Sequence, residues 1–247
     1  MELPKVNLHI HSKYSDGKNS VSQIVSAALT KGLDYICITD HFTNSWKADV
    51  IPNLNSLNKI ELYLKEINQF QKQLLDEERQ MALFKGIEID LSSTEKFIIN
   101  SASPIRFDIL LFEYLENIES IFFIKKIINH WKRRYKSSKD FPLIGLAHFD
   151  PSLFLIDGMN ILIDFLKEFH VFFEFNSSYP QFYSQKYRYF FDRLKENNIL
   201  VSTGCDSHHI STLKDLEEVY DRIKFYELEN NLVDLIHILD KKKLHDY

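Results

Sequence analysis

Three short clusters of histidine and aspartate are the part of this 247-residue sequence best suited to chemistry. They are His9-Ile10-His11, Asp40-His41 and Asp206-Ser207-His208. Imidazole nitrogens and carboxylate oxygens together suit zinc, manganese or iron. A single His-x-His pair is more often structural than ligating, because alternate residues of a strand simply share one face. Three such clusters, each at the end of a predicted strand, instead indicate a metal site.

Further acidic, imidazole and amide residues follow the other apolar segments of the chain. They are Asp16, Glu88, Asp90, Glu113, His148, Asp150, Glu174 and Asn176. A carboxylate such as Glu88 can bridge two ions. Two ions about 3.5–4 Å apart activate a shared water and stabilise both the attacking and the leaving oxygen of a phosphoryl transfer. The clusters therefore suit phosphoryl transfer, a reaction that needs little covalent participation by protein groups.

The elements that must position these residues are seven strand-like apolar runs. The runs cover Val6–His9, Tyr35–Thr39, Leu83–Ile89, Ile109–Phe112, Leu143–Ala147, Val171–Phe175 and Leu200–Thr203. Helical patterns lie next to most of them, which implies a parallel sheet because parallel strands need crossover connections. Each unit takes about 35 residues, the size of a βα repeat. In a closed parallel barrel the carboxyl ends of all strands share one face, so residues between 9 and 208 are expected to converge there.

The first predicted helix has the clearest limits. Its apolar face begins at Val21 and Ile24. Ser20 and Gln23 form a capping box before it, and Gly32 stands where a C′ glycine is typical. Later helices are predicted near residues 60–74, 121–131, 160–168, 185–197, 215–223 and 232–242.

Composition excludes several classes of protein. The 45% apolar and 26% charged residues are ordinary globular usage, and a net charge of −5 argues against a general binder of nucleic acid or anionic membranes. The six glycines form neither a GxGxxG nor a GxxxxGK[ST] motif, so a nucleotide cofactor is not indicated. The two cysteines form no disulfide framework. The first residues do not resemble a signal peptide, and no apolar run approaches the roughly 20 residues that span a bilayer. We therefore expect a cytoplasmic protein without a membrane partner.

Seven segments together resemble the PHP (polymerase and histidinol phosphatase) superfamily, and they occur in the order of that family. They are Asn7-Leu8-His9-Ile10-His11, Ser15-Asp16-Gly17, Ile38-Thr39-Asp40-His41, Gly86-Ile87-Glu88-Ile89, Leu146-Ala147-His148-Phe149-Asp150, Glu174-Phe175-Asn176 and Gly204-Cys205-Asp206-Ser207-His208. The resemblance implies a distorted (β/α)7 TIM-like barrel of the α/β class. It implies a single domain over residues 1–247, with the site motifs within 7–209 and C-terminal helices over 210–247.

The resemblance also implies a ligand set for two or three divalent ions, with Mn, Zn or Fe all compatible. Carried over by position, the ligands of the first ion are His9, His11, Glu88 and Asp206. Glu88 would bridge to a second ion that His148 also binds. The third ion would be bound by Asp16, His41 and His208.

Two positions depart from the family pattern. Asn7 stands where Asp is usual, a change expected to retune ligand basicity. The fourth strand lacks the histidine that usually completes the second ion's ligands, and Glu113 is the nearest substitute. We expect Asp40 to orient His41 or a neighbouring ligand without binding metal itself. Glu174 and Asn176 are expected to line the mouth of the barrel or to contact substrate.

The predicted function is that of a phosphomonoesterase similar to histidinol phosphatases, acting on a small phosphorylated substrate with an ion-activated water as nucleophile. Candidate cations for its phosphate are Lys13, Lys18, Arg106 and Arg188. One alternative is a phosphodiesterase or 3′–5′ exonuclease, suggested by the basic segment Lys125–Lys139, which is otherwise a solvated helix face. Another is a catalytically impaired, metal-binding regulatory module, suggested by the missing histidine. The sequence leaves the oligomeric state open.

Overall fold

A parallel β-sheet that curls into a nearly closed barrel forms the centre of the computed structural model, which describes residues 3–136 and 141–245. Its strand order is β1-β2-β4-β5-β6-β7-β8, and the short β3 pairs with β4. The strands are β1 Val6–Ile10, β2 Tyr35–Ile38, β3 His41–Phe42, β4 Ala82–Asp90, β5 Ile109–Glu113, β6 Leu143–Leu146, β7 Val171–Asn176 and β8 Val201–Gly204. All seven predicted strands are confirmed, and β3 is additional.

Helices cover the outside of this sheet. They are α1 Val21–Lys31, α2 Leu57–Asp76, α3 Glu95–Ser101, α4 Ile118–Arg134, α5 Met159–Phe169, α6 Arg188–Glu196, α7 Glu217–Phe225 and α8 Glu229–His245. The capping box of Ser20 and Gln23 is present at α1, and Gly32 ends that helix with φ of 67°. A left-handed residue of this kind is why glycine is favoured there.

The strands are buried on both faces, as expected when helices cover a parallel sheet. Each residue of β5 and β7 is buried, and so is each residue of β1. Side chains of β1 alternate, so Leu8 packs in the apolar core while His9 joins the polar groups at the mouth. The apolar core thus surrounds a small polar interior at one end of the barrel.

The barrel closes between its first and last strands through backbone contacts just beyond β8. Ser207 N donates to His9 O at 3.1 Å, and His11 N donates to Ser207 O at 2.9 Å. An isolated parallel bridge joins Ile10 to Ser207. The seam therefore runs through the predicted ligands His9 and His11 and through Ser207, which lies between the predicted ligands Asp206 and His208.

The basic helix α4 uses several of its charges to contact neighbouring helices. Lys125 Nζ donates to Glu168 Oε2 and Lys126 Nζ donates to Glu95 Oε2, both at 2.7 Å. Lys132 Nζ lies 5.0 Å from the ring centroid of Phe169. Of the predicted basic segment, Lys139 lies outside the described residues.

In the part of the chain that the structure describes, no helix combines the length and apolar character needed to cross a membrane.

Candidate metal centre

The carboxyl ends of the strands bring the predicted ligands together at one mouth of the barrel. His9 and Glu88 are fully buried, and His11 is 1% exposed, which places their side chains beneath the surface of the mouth. The eight residues predicted as ligands all contact at least one other member of the set. They are His9, His11, Asp16, His41, Glu88, His148, Asp206 and His208.

The β1–β8 side of the mouth, defined here as His9, His11 and Asp206, has the tightest convergence. His9 Nε2 and His11 Nε2 are 3.1 Å apart, and Asp206 Oδ1 lies 3.4 Å from the first and 3.0 Å from the second. Glu88 adds Oε1 at 3.3 Å from His9 Nε2 and Oε2 at 3.6 Å from His11 Nε2.

These separations match the spacing of ligand atoms around one metal ion. Zinc binds histidine nitrogen and carboxylate oxygen at about 2.0–2.1 Å, so two ligands of a tetrahedral ion lie about 3.3–3.4 Å apart. The four side chains His9, His11, Glu88 and Asp206 thus fit the first predicted ion.

A second convergence joins Asp16 to His41 and His208. Asp16 Oδ1 lies 3.2 Å from His208 Nε2, 3.7 Å from His41 Nε2 and 3.8 Å from His11 Nδ1. These four residues form one of the clusters whose ligand atoms all lie within 4.8 Å of one another. The Asp16, His41 and His208 set predicted from the sequence therefore comes together, and His11 stands beside it.

His148 contacts the central carboxylate at the oxygen that also lies near His9. Its Nε2 lies 3.2 Å from Glu88 Oε1. His148 has φ of 35° and Asp206 has φ of 48°, a left-handed conformation that is uncommon for residues with a Cβ. Both residues aim their side chains into the mouth from strained positions, a pattern common at functional sites.

Glu113 lies at the mouth as expected for a substitute ligand, but it has a partner of its own. Its Oε1 is 3.6 Å from His41 Nδ1, and Lys47 Nζ donates to both of its oxygens at 2.8 and 2.7 Å. Lys47 comes from the 3-10 turn Trp46–Asp49 that follows β3. We define Glu113 and Lys47 as the β5 side of the mouth.

Glu174 orients two ligands and does not itself reach the centre of the cluster. Its Oε1 is 2.9 Å from His9 Nδ1, and its Oε2 accepts from His148 N at 2.7 Å. This contact fixes Nδ1 as the outward nitrogen of His9 and leaves Nε2 for an ion. Gly204 makes room for it, because a Cβ there would overlap Glu174 Oε1 and lie 2.8 Å from His9 Cβ.

Asp40 supports a ligand as predicted, but it does so through serines and reaches His11, not its neighbour His41. Its carboxylate accepts hydrogen bonds from Ser12 N at 2.7 Å and from the hydroxyls of Ser12 and Ser15. Ser15 Oγ is in turn 3.4 Å from His11 Nδ1.

Within the described residues, the hydrogen bonds of the Asn7 side chain all go to backbone atoms and not to ligand side chains. Its Oδ1 accepts from His9 N at 3.2 Å and from Cys205 N at 3.3 Å, and its Nδ2 donates to Leu213 O at 3.0 Å. An aspartate could not make the last bond, because it has no donor. Asn176 lies 3.5 Å from His9 Nδ1 through its side-chain nitrogen, beside Glu174.

The charge balance of the cluster keeps its carboxylates ionised. Burial alone would raise the pKa of Asp206, but His9 and His11 beside it lower that pKa below its usual range. Burial would likewise raise the pKa of Asp16, yet His208 and His11 lower it to about 2.

The pKa values of the imidazoles shift in two directions. Burial lowers the pKa of His41, but Glu88 and Glu113 outweigh it and raise that pKa to about 10. For His11 burial is the dominant effect, and its pKa is lowered. The nitrogen ligands thus range from protonated to neutral at pH 7, and an ion that binds them displaces protons.

Three buried atoms of the cluster, Asp16 Oδ1, His41 Nδ1 and Glu88 Oε2, make no well-aligned hydrogen bond. They nevertheless lie close to other ligand atoms: His41 Nδ1 is 2.9 Å from Glu88 Oε2, and Asp16 Oδ1 is 3.2 Å from His208 Nε2. Buried polar atoms are normally satisfied in a native structure. Mixed imidazole and carboxylate atoms at this spacing, without aligned hydrogen bonds, fit the binding of divalent ions.

A cavity of about 430 Å³ opens directly above the cluster. It is lined by His41, Lys47, Glu113, Tyr114, Leu115, Glu116, Ala147, His148, Phe149, Asp150, Leu153, Tyr179, Phe182, Asp206 and His208. Its volume is within the range of about 300–1,000 Å³ typical of small-molecule sites.

Tyr179 and Lys47 are among the residues of this cavity that were not found from the sequence. The Tyr179 ring packs at a tilt against that of His148, with 4.7 Å between centroids, and its hydroxyl donates to Asp206 Oδ2 at 3.2 Å. Lys47 lies six residues beyond His41 and has no motif to mark it. The position of Tyr179, three residues past the Glu174–Asn176 segment, was the only signal available for it.

The cation in the cavity differs from the four proposed from the sequence. Lys13 and Lys18 are exposed, and Arg106 and Arg188 form ion pairs on the surface. The positively charged side chain among the described residues that line the cavity is instead that of Lys47.

Comparison with known proteins agrees with the fold and the motifs. The chain is similar to the crystal structure of histidinol phosphate phosphatase from Lactococcus lactis subsp. lactis Il1403 complexed with zinc, L-histidinol and phosphate. The TM-score is 0.58 at 18% identity, covering 91% of this chain and 94% of that one. It is also similar to the putative histidinol phosphatase of Listeria monocytogenes, with a TM-score of 0.61 at 17% identity, covering 87% and 100% of the two chains.

At the level of sequence, 87 residues are 31% identical to the DNA polymerase/3′-5′ exonuclease PolX of Bacillus subtilis (strain 168). That segment is 35% of this chain and only 14% of the polymerase, so the chain spans a small part of this curated relative. The PHP domain model matches residues 7–244. The motifs, the barrel and this match together show that the chain belongs to the PHP domain family.

Proposed function

We propose that this chain is a metal-dependent phosphomonoesterase whose ions are held by the eight predicted ligands. The observation that carries the proposal is the convergence of imidazole and carboxylate atoms around Glu88 at the floor of a cavity. In this proposal one ion is held by His9, His11, Glu88 and Asp206. Another ion is held by Asp16, His41 and His208. His148 contacts Glu88 beside them. Zinc, manganese and iron each suit these ligands.

Divalent ions bound by these residues would supply an activated water and would neutralise charge on the phosphoryl oxygens. Other residues of the chain orient the ligands and shape the cavity. Glu174 fixes the orientation of His9, and the Ser15–Asp40 contact does the same for His11. Tyr179 holds Asp206 and forms a wall of the cavity through its ring. The phosphate would enter with its ester oxygen toward the cavity and its free oxygens toward the ligands.

The cavity supports a small substrate. A volume of about 430 Å³ accommodates a phosphorylated metabolite. Aromatic and acidic side chains, including Tyr179, Phe182, Glu116 and Asp150, surround the place of the leaving group. A histidinol-phosphate-like compound, with its ring and amine, fits such a wall, and this substrate also follows from the similarity to histidinol phosphatases.

The test is turnover of phosphomonoesters by purified protein loaded with Mn²⁺ or Zn²⁺. The panel includes an aryl phosphate and L-histidinol phosphate, with Glu88→Gln as the variant that removes the central ligand. We expect hydrolysis that a chelator abolishes and that Glu88→Gln lacks. No turnover by the wild type on any member of the panel would reject the proposal and favour a metal-binding regulatory module.

A second candidate is a 3′–5′ exonuclease, favoured by the segment that is 31% identical to PolX. It predicts faster hydrolysis of single-stranded oligonucleotides than of phosphomonoesters. It also predicts that charge reversal at Arg133 and Arg134 of α4 weakens oligonucleotide binding and flattens its salt dependence. Equal rates in the charge-reversed variant would count against it, as would a preference for phosphomonoesters.

A further inference from the structure

The β5 side of the mouth contains a carboxylate that could bind an ion but is already paired with an ammonium group. His41, Glu88 and Glu113 offer ligand atoms within 4.8 Å of one another, which is a third potential metal site. Lys47 Nζ, however, lies 2.8 and 2.7 Å from the two oxygens of Glu113. An ion bound by Glu113 would have to compete with this ammonium for at least one of the two oxygens.

The Lys47–Glu113 pair is buried and held from several directions. The Lys47 side chain is 12% exposed and that of Glu113 is 1% exposed. Lys47 Nζ also lies 4.7 Å from the centroid of the Tyr114 ring, a cation–π contact. A charge pair that is removed from water in this way is costly to break, because the partner left behind stays buried and unpaired.

The turn that carries Lys47 is fastened to the same edge of the barrel. Lys47 N donates to Ser45 Oγ at 3.2 Å, and the Ser45 hydroxyl donates to Asp90. Asp90 also accepts from Thr43 Oγ1 at 2.8 Å, and its backbone is in register with Glu113 across β4 and β5. The fold therefore fixes the position of the ammonium, and Lys47 does not behave as a free side chain on the surface.

We propose that Lys47 replaces a metal ion at this corner of the mouth. Its ammonium excludes an ion from the His41–Glu88–Glu113 site and supplies the positive charge for one oxygen of the substrate phosphate. The inference rests on the proposed metal centre, and it makes that centre a site of two ions and one lysine. The two oxygens of Glu113 account for two of the three N–H donors of an ammonium, and the group lines the cavity that the substrate enters.

The test is the number of Mn²⁺ ions bound per chain, measured by equilibrium dialysis and elemental analysis. We expect two ions in the wild type, three in Lys47→Met because Glu113 is released, and two again in Lys47→Met/Glu113→Gln. Lys126→Met is the matched control, since it removes a 2.7 Å lysine–glutamate contact between two residues that do not line the cavity, and we expect it to leave two ions. Three ions in the wild type, or two in Lys47→Met, would overturn the proposal.

The second readout is the affinity of the Mn²⁺-loaded protein for inorganic phosphate, measured by calorimetry. The double variant has neither the ammonium nor the third ion, so we expect its phosphate affinity to fall about tenfold, the typical cost of a charge-assisted hydrogen bond. An affinity equal to that of the wild type would remove Lys47 from phosphate binding. Neither readout needs turnover, so the ion counts hold even if no phosphomonoester proves to be a substrate. Conversely, turnover with three ions in the wild type would reject only the role of Lys47.

Discussion

The two sides of the barrel mouth neutralise their carboxylates by different means. On the β1–β8 side, Asp206 meets His9 and His11 at 3.4 and 3.0 Å, and these imidazoles can exchange their protons for an ion. On the β5 side, Glu113 meets Lys47, whose ammonium is part of the chain. The first arrangement depends on ions from solution and the second does not. The comparison shows that one mouth can combine exchangeable and built-in positive charge.

Removal of the central carboxylate should have the largest effect, because Glu88 contacts ligands on every part of the mouth. Loss of a residue that only supports a ligand typically costs about 10- to 100-fold. We therefore expect Glu88→Gln to lower kcat/KM on an aryl phosphate by more than about 100-fold. Elemental analysis should show fewer ions per chain. Glu61→Gln, at an exposed pair with Arg106, is the control and should match the wild type. Comparable activity in the two variants would disprove the central role of Glu88.

Loss of the support behind the β1–β8 side should come next. Glu174→Gln keeps the shape of the side chain but replaces the charged acceptor at His9 Nδ1 with an amide. We expect metal affinity to fall by about 10- to 100-fold, measured by competition with a fluorescent chelator. The expected loss concerns one ion of the set, so a uniform loss of all ions would contradict the separation of the two sides.

The pH dependence of stability tests the protonated imidazoles. The pKa of His41 is raised to about 10, above its value of about 6.5 in an unfolded chain, by Glu88 and Glu113 against the effect of burial. Its contribution to stability is therefore complete below pH 6.5 and is lost as the pH rises toward 10. In the presence of chelator we expect Tm to fall by at least about 2–4 °C, equivalent to about 1 kcal/mol, between pH 7 and 9.5.

The control for this experiment is His41→Gln, which should flatten that decline. A melting temperature that is constant or rises over the same interval would show that His41 is neutral in the folded protein.

The smallest expected effect is that of the Tyr179 hydroxyl. Tyr179→Phe removes the 3.2 Å hydrogen bond to Asp206 Oδ2 but keeps the ring that packs against His148. Because 3.2 Å is long for a hydroxyl donor, we expect this bond to contribute only about 0.5–1.5 kcal/mol and its loss to lower metal affinity two- to tenfold. Calorimetric titration with Mn²⁺ measures it. A loss as large as that of Glu174→Gln would mean that the hydroxyl orients Asp206 as firmly as Glu174 orients His9.

Much of the fold follows from the sequence because parallel strands are apolar on both faces and end in polar residues. The seven runs stand out for that reason, and Glu88 and Asp206 are recognisable at their ends. The two-residue β3 has too few residues for a periodic pattern, and the seven-residue α3 is too short for a clear apolar face. Short elements of this kind depend on their neighbours more than on their own residues.

The site was predictable where the chain direction determines the position of a side chain. His9 and His11 share a face because strand residues alternate, whereas Asp40 points away from the adjacent His41 for the same reason and reaches Ser12. Lys47 depends instead on a turn and on a long side chain that folds back to Glu113. Its partner Glu113 lies 66 residues away in the sequence, and no local pattern predicts a contact at that separation.

The seam between β1 and β8 determines when the ligands can meet during synthesis. His9 is synthesised almost 200 residues before Asp206 and before the backbone of Ser207 that pairs with His9 and His11. Contacts so distant in sequence form late, because a long loop must close before they contribute any stability. The nascent chain therefore holds His9 and His11 with Asp16 and Glu88 but without Asp206 until β8 has been made. The β1–β8 side of the mouth is thus the last part of the site to be assembled.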